Sequence, residues 1–557
     1  MEKIKESIIV GIICLAGFYI LSFKLAETPP GIYVDEAVTA VNSYSILKTG
    51  KDEYGKSFPA AFRFFGSYSP PLYVYLATIP VYFFGLNEFS IRIISVVLGS
   101  LMVIVVYGFL KSSGWFNRKI SILLLPLFVI TPWNFFYSRT GYEIYLGFFL
   151  FSLGALFLWK GLKNKILLSL GVIVMSLATY ASHSQIYSAP LFLAFFIIMY
   201  FKELDKKFLV SGLIAAVVIQ IPHLFLLSTK AFINKSDLFY SREILVNADK
   251  ILLPNFISLP LSFLFSFFGR VAAYISPGNL FLLPDPEPQR SMPEISVFFS
   301  WMVLPYLAGL FVLGSKIKSG FAKFLLLLII TVVLPSSLTG DPFSTQRALG
   351  LLLPLFLIVA AGIQLISEKI KFRKFLFLCL GLFVISVVLL WRSYFVLLPA
   401  ERAVSWSFGY KELARIISEN PDKTFIIDRG GGKPSYIELA FFLKTNPEVL
   451  QSSANPEIKA DYYNLSEFNP DYKFGNIETR QVIWESDIYK PQVLVGSELL
   501  VSSTQAKDHF LTEMFVITDS RGYPIFKGFI TDPQKKCRET NFNSTFCKKP
   551  NLNTMDQ

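Results

Sequence analysis

Charge is what this sequence has least of. Only 17% of its 557 residues are Asp, Glu, Lys or Arg, against about 25% in an average soluble domain. Histidine occurs three times. The four cysteines offer no zinc spacing: Cys14 and Cys379 fall inside apolar runs, and only Cys537 and Cys547 are placed to pair. There is no His-x-x-x-His, Walker loop, Rossmann glycine pattern or Gly-x-Ser-x-Gly elbow, which removes the commonest zinc-protease, nucleotide-loop, dinucleotide and hydrolase readings. Arg429-Gly-Gly-Gly-Lys433 is glycine-rich but lacks phosphate-loop spacing and reads as a turn.

Apolar residues are what the sequence has in excess: 53% of the chain, 56 phenylalanines and a mean hydropathy of +0.51. The runs reach about 20 residues, enough to cross roughly 30 Å of hydrocarbon. They are continuous rather than alternating, which argues against a β-barrel. The net charge of +12 invites nucleic acid as a partner, but the lysines and arginines cluster in short loops between runs, where they orient helices. No nucleic acid is expected. Met1 to Phe23 carries Lys3 and Lys5 before its apolar run, yet Leu25-Ala-Glu-Thr28 is a poor cleavage site, so it reads as a retained first helix.

Eleven crossings are expected, at about 7–26, 88–110, 119–138, 144–162, 166–182, 186–201, 208–227, 295–314, 321–339, 347–367 and 373–395. Leu72–Gly85 is short, follows Pro70-Pro71 and contains Pro80. If it does not cross, the basic loops at Lys3/Lys5, Lys111/Arg118/Lys119, Lys160/Lys163/Lys165, Lys202/Lys206/Lys207, Lys316/Lys318/Lys323 and Lys369/Lys371/Arg373/Lys374 share one side. It therefore reads as a juxtamembrane or re-entrant helix. The N-terminus is then cytoplasmic and the C-terminus outside.

Two domains follow. Residues 1–396 form an α-helical polytopic membrane domain, with a first outer loop at 27–87 and a long outer loop at 228–294. In that second loop Ile251–Ile275, broken by Pro254 and Pro260, reads as a pair of surface-lying helices. Residues 397–557 form a small extracytoplasmic α/β domain with strand-like Thr424–Asp428 and Gln492–Val495, an amphipathic Tyr410–Glu419 helix and a loosely ordered tail from about 535.

Outer-side acids are sparse, so their positions carry information. Asp35 and Glu36 follow the first crossing, and Glu143 follows the third within Ser138-Arg139-Thr-Gly-Tyr142-Glu143. One acid here could simply cap a helix, and Glu143 could simply pair with Arg139. Two acidic sites on successive outer loops point instead to a shared cavity. Asp35 is the expected catalytic base, Glu143 the second acid, and Glu36 an orienting or capping neighbour. Arg139, Arg290 and Arg347, with Lys56 and Arg63, are candidate phosphate contacts, because an arginine fork suits phosphate. The bland alternative is contact with ordinary anionic lipid heads. Tyr68 and Tyr142 are further substrate-binding candidates. His183, in Ser182-His183-Ser-Gln, is either a phosphate contact or an interface residue.

At these residues the chain resembles the GT-C glycosyltransferases, the bacterial group akin to protein O-mannosyltransferases and the aminoarabinose transferase of lipid A. The matching pieces, in order, are Asp35-Glu36-Ala; Tyr54-Gly55 with Phe58-Pro59; Pro70-Pro71-Leu72-Tyr73; Phe84-Gly85 with Arg92 and Gly99; and Trp133 with Ser138-Arg139 and Glu143. Thr339-Gly-Asp-Pro with Gln346-Arg347-Ala, and Phe408-Gly409-Tyr410 with Pro434-Ser-Tyr436, continue the likeness over most of 28–450. The resemblance implies a catalytic carboxylate in the first outer loop, a second acid in the next, and a polyprenyl-phosphate-linked sugar donor. Two departures stand out. Ser69 precedes Pro-Pro where many relatives carry Lys or His, so one phosphate contact is either absent or moved to Lys56 or Arg63. The second acid is Glu143 where Asp is common. Transfer to a protein, glycan or lipid hydroxyl by one displacement needs one base and inverts configuration. A divalent cation is compatible with a phosphate leaving group, although the sequence holds no defined cage. The competing classes are a lipid-linked-sugar transporter, which should carry charges within its spans, and a membrane-anchored outer binding module.

Overall fold

The computed structural model describes residues 2–233, 242–251, 253–429, 435–465, 471–540 and 544–547. The chain opens with α1 (Glu2–Ser22), followed by an outer segment of α2 (Val34–Thr49), a hairpin of β1 (Phe62–Phe64) and β2 (Ser67–Ser69), and α3 (Leu72–Phe84). The helical block then runs through α4 (Glu88–Ser112), α5 (Arg118–Ile130), α6 (Pro132–Tyr137), α7 (Ile144–Gly161), α8 (Lys165–Ala178), α9 (His183–Tyr200) and α10 (Lys206–Leu226). After α11 (Lys230–Ile233), α12 (Arg242–Asp249) and α13 (Asn255–Ile275) come α14 (Val303–Ser315), α15 (Gly320–Ser337), α16 (Leu352–Lys369) and α17 (Phe372–Trp391).

Among the described residues nine helices are long and apolar enough to cross a membrane. The chain is a multi-pass membrane protein. Residues Leu352–Gln364 of α16 are buried without interruption, which makes it the central helix. By contrast α10 and α17 turn Val210, Ile214, Val217, Phe377, Leu380 and Val388 outward, the faces a bilayer would cover. Helices α14 and α16 meet backbone to backbone, since a Cβ at Gly309 or Gly362 would fall on the carbonyls of Ile358 or Pro305.

Eight of the eleven expected crossings match long apolar helices. The other three are shorter. The expected 119–138 crossing breaks at Thr131, whose ψ of 128° is extended because Pro132 follows it. The expected 166–182 and 295–314 crossings become the 14-residue α8 and the helix Ser300–Ser315. Conversely, the expected surface pair within Ile251–Ile275 is one 21-residue helix, α13, long enough to cross. Pro254 stands just before its first turn and Pro260 is accommodated within it, while the short α12 packs alongside and Ser262 donates to the Ile244 carbonyl. Helix α3 spans only about 20 Å at 1.5 Å per residue, short of the bilayer core.

After α18 (Leu398–Glu401) the C-terminal domain begins. Helices α19 (Tyr410–Glu419) and α20 (Ser435–Phe442) accompany a six-stranded sheet of β3 (Phe425–Ile427), β4 (Tyr472–Phe474), β5 (Ile477–Thr479), β6 (Val493–Gly496), β7 (Thr512–Thr518) and β8 (Pro524–Ile530). The strand order is β4-β5-β3-β6-β8-β7. β3 is parallel to both β5 and β6, with Phe425 opposite Ile477 and Val493. Both β3 and β6 are buried along their length, which explains their unbroken apolar sequence. The expected loose tail is held as far as Cys547 by a helix, Pro533–Glu539, and a disulfide from Cys537 to Cys547. The expected turn at Arg429–Lys433 lies, beyond Arg429, outside the described residues, as does the end of the tail.

The C-terminal domain docks on the first outer loop through buried acids. Glu53 accepts from Asn42 at 3.0 Å and from the Tyr436 hydroxyl of α20 at 2.9 Å. Asp52 accepts from Tyr462 and from the backbone N–H of Tyr54 and Lys56. Burial pushes the Glu53 carboxyl up to about 8 and the Asp52 carboxyl up to about 6. A carboxyl raised on folding lends stability at low pH and loses it as pH rises through its folded value. Docking should therefore weaken between about pH 4.5 and 8. The protection of the α20 amides, taken as exchange relative to the intrinsic rate at each pH, should fall as pH rises over that range in the parent protein, and Glu53→Gln should flatten the fall.

Candidate active site

Asp35 stands in the first turn of α2, a position that a helix N-terminus favours for a carboxylate. The entry to that helix is fixed by one buried ion pair. Glu36 receives Arg92 of α4 through two bonds, Nε to Oε1 at 3.0 Å and Nη2 to Oε2 at 2.8 Å. It also receives the backbone N–H of Tyr33 at 3.1 Å and of Gly141 at 2.6 Å. Arg92 spends its remaining N–H groups on the carbonyls of Leu25, Pro29 and Gly31. Gly31 needs its freedom: its φ is +81° and a Cβ would strike the Trp406 carbonyl. Glu36 and Arg92 thus sew the turn after α1, the start of α2, α4 and the loop before α7 into one unit. Glu36, counted among substrate-binding candidates from the sequence, is fully buried with both oxygens occupied. It positions the site rather than facing it.

The Gly141 bond brings the second acidic loop to the first. The Tyr33 and Tyr142 rings lie 5.6 Å apart. Asp35 and burial, with smaller contributions from Tyr137 and Glu143, hold the Tyr33 hydroxyl well above its ordinary value, and Arg290 opposes them. Asp35 and Glu143 both act electrostatically on the Tyr33 and Tyr142 hydroxyls. Asp35 is half-buried, and its surroundings push its carboxyl up to about 6, with desolvation the largest cause, Tyr33 opposing it and Glu36 adding to it. Tyr142 is fully buried and its hydroxyl has no hydrogen-bond partner among the described residues. Glu143 is buried where α7 begins.

Cations close the opposite side. Arg290 donates from Nη1 to Asp341 Oδ2 at 2.9 Å and to Ser344 at 2.7 Å, and its Nε lies 3.6 Å from Asp285. Arg347 Nη1 reaches the same Asp341 oxygen at 2.9 Å. Asp285 is locked by the Thr345 N–H and hydroxyl, and Thr345 in turn meets the Tyr137 hydroxyl at 2.8 Å and Trp133 Nε1 at 3.0 Å. Tyr33, Tyr137, Asp285, Thr345 and Asp341 were not singled out as site residues. Tyr33 lies two residues from Asp35, and Asp341 lies within a quoted family piece, so both were within reach. Arg92 carried its own signal, a cation inside the apolar run Ile91-Arg92-Ile93-Ile94, which demands a partner.

The remaining candidates fall elsewhere. Arg139 is fully buried and points away from Glu143, donating to the carbonyls of Leu21, Lys24 and Thr28 beneath the rings of Phe135, Tyr394 and Phe395. It anchors the end of α1. Lys56, Arg63 and Tyr68 belong to the segment after α2, whose Glu53 is bonded to Asn42, seven residues along the helix from Asp35. Arg63 is buried against Tyr68 and the Leu465 carbonyl, Tyr68 donates to the Tyr462 carbonyl, and Lys56 sits over the Tyr462 and Tyr463 rings. All three serve the contact with the C-terminal domain. The phosphate contact that Ser69 leaves unfilled is therefore not moved to Lys56 or Arg63. His183 opens α9, half-buried, next to Ser182, which packs on Gly147 one turn along from Glu143. Among the described residues no three His, Cys, Asp or Glu side chains form a group that could hold a metal ion.

No family model matches the chain, and no curated protein matches it. Among solved structures it is similar to ArnT from Cupriavidus metallidurans in the apo state, with 12% identity over 95% of this chain and 98% of that one and a TM-score of 0.43. The same protein bound to undecaprenyl phosphate gives 12% over 94% and 97%, with a TM-score of 0.42. The archaeal oligosaccharyltransferase AglB from Archaeoglobus fulgidus, in complex with an inhibitory peptide and a dolichol-phosphate, gives 13% over 79% of this chain and 64% of that one, with a TM-score of 0.47.

Proposed function

We propose that this chain is an integral-membrane glycosyltransferase that moves a hexosyl or pentosyl group from a polyprenyl-phosphate-linked donor to an acceptor hydroxyl on the extracytoplasmic face. The observation that carries the reading is Asp35, a half-buried carboxylate with its pKa raised to about 6, facing a cluster that also holds Arg290. A base poised near neutrality is suited to taking the acceptor hydroxyl proton as the oxygen attacks the sugar C1. One base and one displacement give inversion. The charge developing on the departing lipid phosphate falls to Arg290 and Arg347; both already converge on one carboxylate oxygen of Asp341, which an anionic phosphate oxygen would replace. Tyr142 offers an unpaired hydroxyl to the sugar or the acceptor, and Glu143 is the second acid beside it. The N-terminus lies in the cytoplasm and the C-terminal domain outside, with a protein, glycan or lipid as acceptor.

Purified protein in vesicles, supplied with labelled polyprenyl-phosphate sugars and envelope acceptors, should yield a labelled acceptor and free lipid phosphate. Absence of transfer from every lipid-phosphate sugar would sink the reading. Arg290→Ala and Arg347→Ala should each raise the donor KM roughly ten- to hundredfold, the value of one hydrogen bond to a charged group. Steady-state kinetics with varied donor checks this, and an unchanged donor KM would place the phosphate elsewhere.

A further inference from the structure

A second cavity, away from Asp35, lies between α8, α9 and α10. It measures about 300 Å³ and is walled by Met175, Ala189, Leu193, Leu224 and Leu227, with Gln220 and His223 in its lining. Both α9 and α10 are long enough to cross a membrane, and α10 turns Val217, Val218 and Ile221 outward, so the cavity belongs to the bilayer-facing periphery. An ionisable side chain there is costly unless it is used.

The hydrogen bonds fix what His223 offers. Gln220 Nε2 donates to the Ser176 carbonyl at 3.0 Å, an atom that can only accept, so its Oε1 must face His223 Nδ1, 2.7 Å away. The Ser176 and Thr179 hydroxyls donate to the carbonyls of Ala216 and Ser176, and their oxygens lie 2.9 Å from the same Gln220 nitrogen, which shares its two hydrogens among these acceptors. The Gln220 oxygen then takes the proton of Nδ1, and in the neutral ring that an apolar surrounding favours Nε2 is an acceptor. The ring is only 9% exposed and stacks on Tyr180 at 3.9 Å. Among the described residues Nε2 has no hydrogen-bond partner.

We propose that this cavity binds a membrane-resident neutral alcohol, a long-chain or isoprenoid lipid whose hydroxyl donates to His223 Nε2 while its chain lies along Leu193, Leu224 and Leu227. An anionic head is disfavoured, because the lining holds no Lys or Arg to meet it.

The test uses the full-length protein in phosphatidylcholine vesicles with two photoactivatable probes, a diazirine-bearing dodecanol and its methyl ether, and peptide mass spectrometry of the labelled sites. The alcohol should label the α8, α9 and α10 peptides roughly fivefold or more above the ether, the worth of the one hydrogen bond that the ether cannot donate. His223→Phe should remove that difference. Equal labelling by alcohol and ether in the unmodified protein overturns the proposal, whatever the variant's folding. So does labelling confined to other helices, a preference that survives His223→Phe, or stronger competition by phosphatidic acid than by unlabelled dodecanol.

Discussion

Asp35→Asn is expected to cut sugar transfer by roughly 10²- to 10⁴-fold, the usual contribution of a general base. The amide keeps the size and the helix-start position of the carboxylate but cannot take a proton. Because Asp35 itself belongs neither to the Glu36–Arg92 pair nor to its backbone bonds, the variant should fold as the parent does, with donor KM nearly unchanged. The pH dependence adds a second check. Burial raises the Asp35 carboxyl to about 6, so the base is protonated and idle below that value and ionised above it. Transfer by the parent protein should fall tenfold per unit as pH drops below about 6 and level off above. The residual transfer of Asp35→Asn should lack that acid limb. Full activity in Asp35→Asn, with the limb intact, would move the base to Glu143.

Much of this site could be read in the chain before any coordinates, and the misses share one cause. Long apolar runs have a length signal, so eight crossings were legible, as were β3 and β6 by their unbroken Phe-Ile-Ile and Val-Leu-Val runs. Asp35 and Glu143 stand out in the sequence because an acid beside a bilayer is rare enough to need a reason. Direction and distance within a loop carry no comparable signal. Lys56 and Arg63 share a loop with Asp35, yet α2 stands between them as a rigid spacer. Arg139 sits four residues from Glu143, yet its guanidinium turns to the carbonyls of Leu21, Lys24 and Thr28 around the end of α1. Helix α13 was misread for a similar reason. Its proline at 260 argued for a break, but Ser258, Ser262, Ser266, Arg270 and Tyr274 bury one polar face against neighbours, and that packing outweighs one lost backbone bond.

Arg92→Met should be the most damaging single change to the fold of the outer loops, at roughly 3–5 kcal/mol. The methionine roughly fills the volume, but the Glu36 carboxylate is left buried with only two backbone N–H groups for its charge. The carbonyls of Leu25, Pro29 and Gly31 lose their donors at the same time. A double variant separates charge from contact. Arg92→Met with Glu36→Gln removes both charges, and a buried pair replaced on both sides costs far less than one broken on one side. The double variant should therefore be more stable than Arg92→Met alone, measured by thermal unfolding in detergent micelles. Its transfer should stay depressed, because without the pair Gly141 is no longer drawn to α2 and Glu143 drifts from Asp35. A double variant no more stable than the single would mean that the carbonyl contacts, and not the buried charge, hold the two acidic loops together.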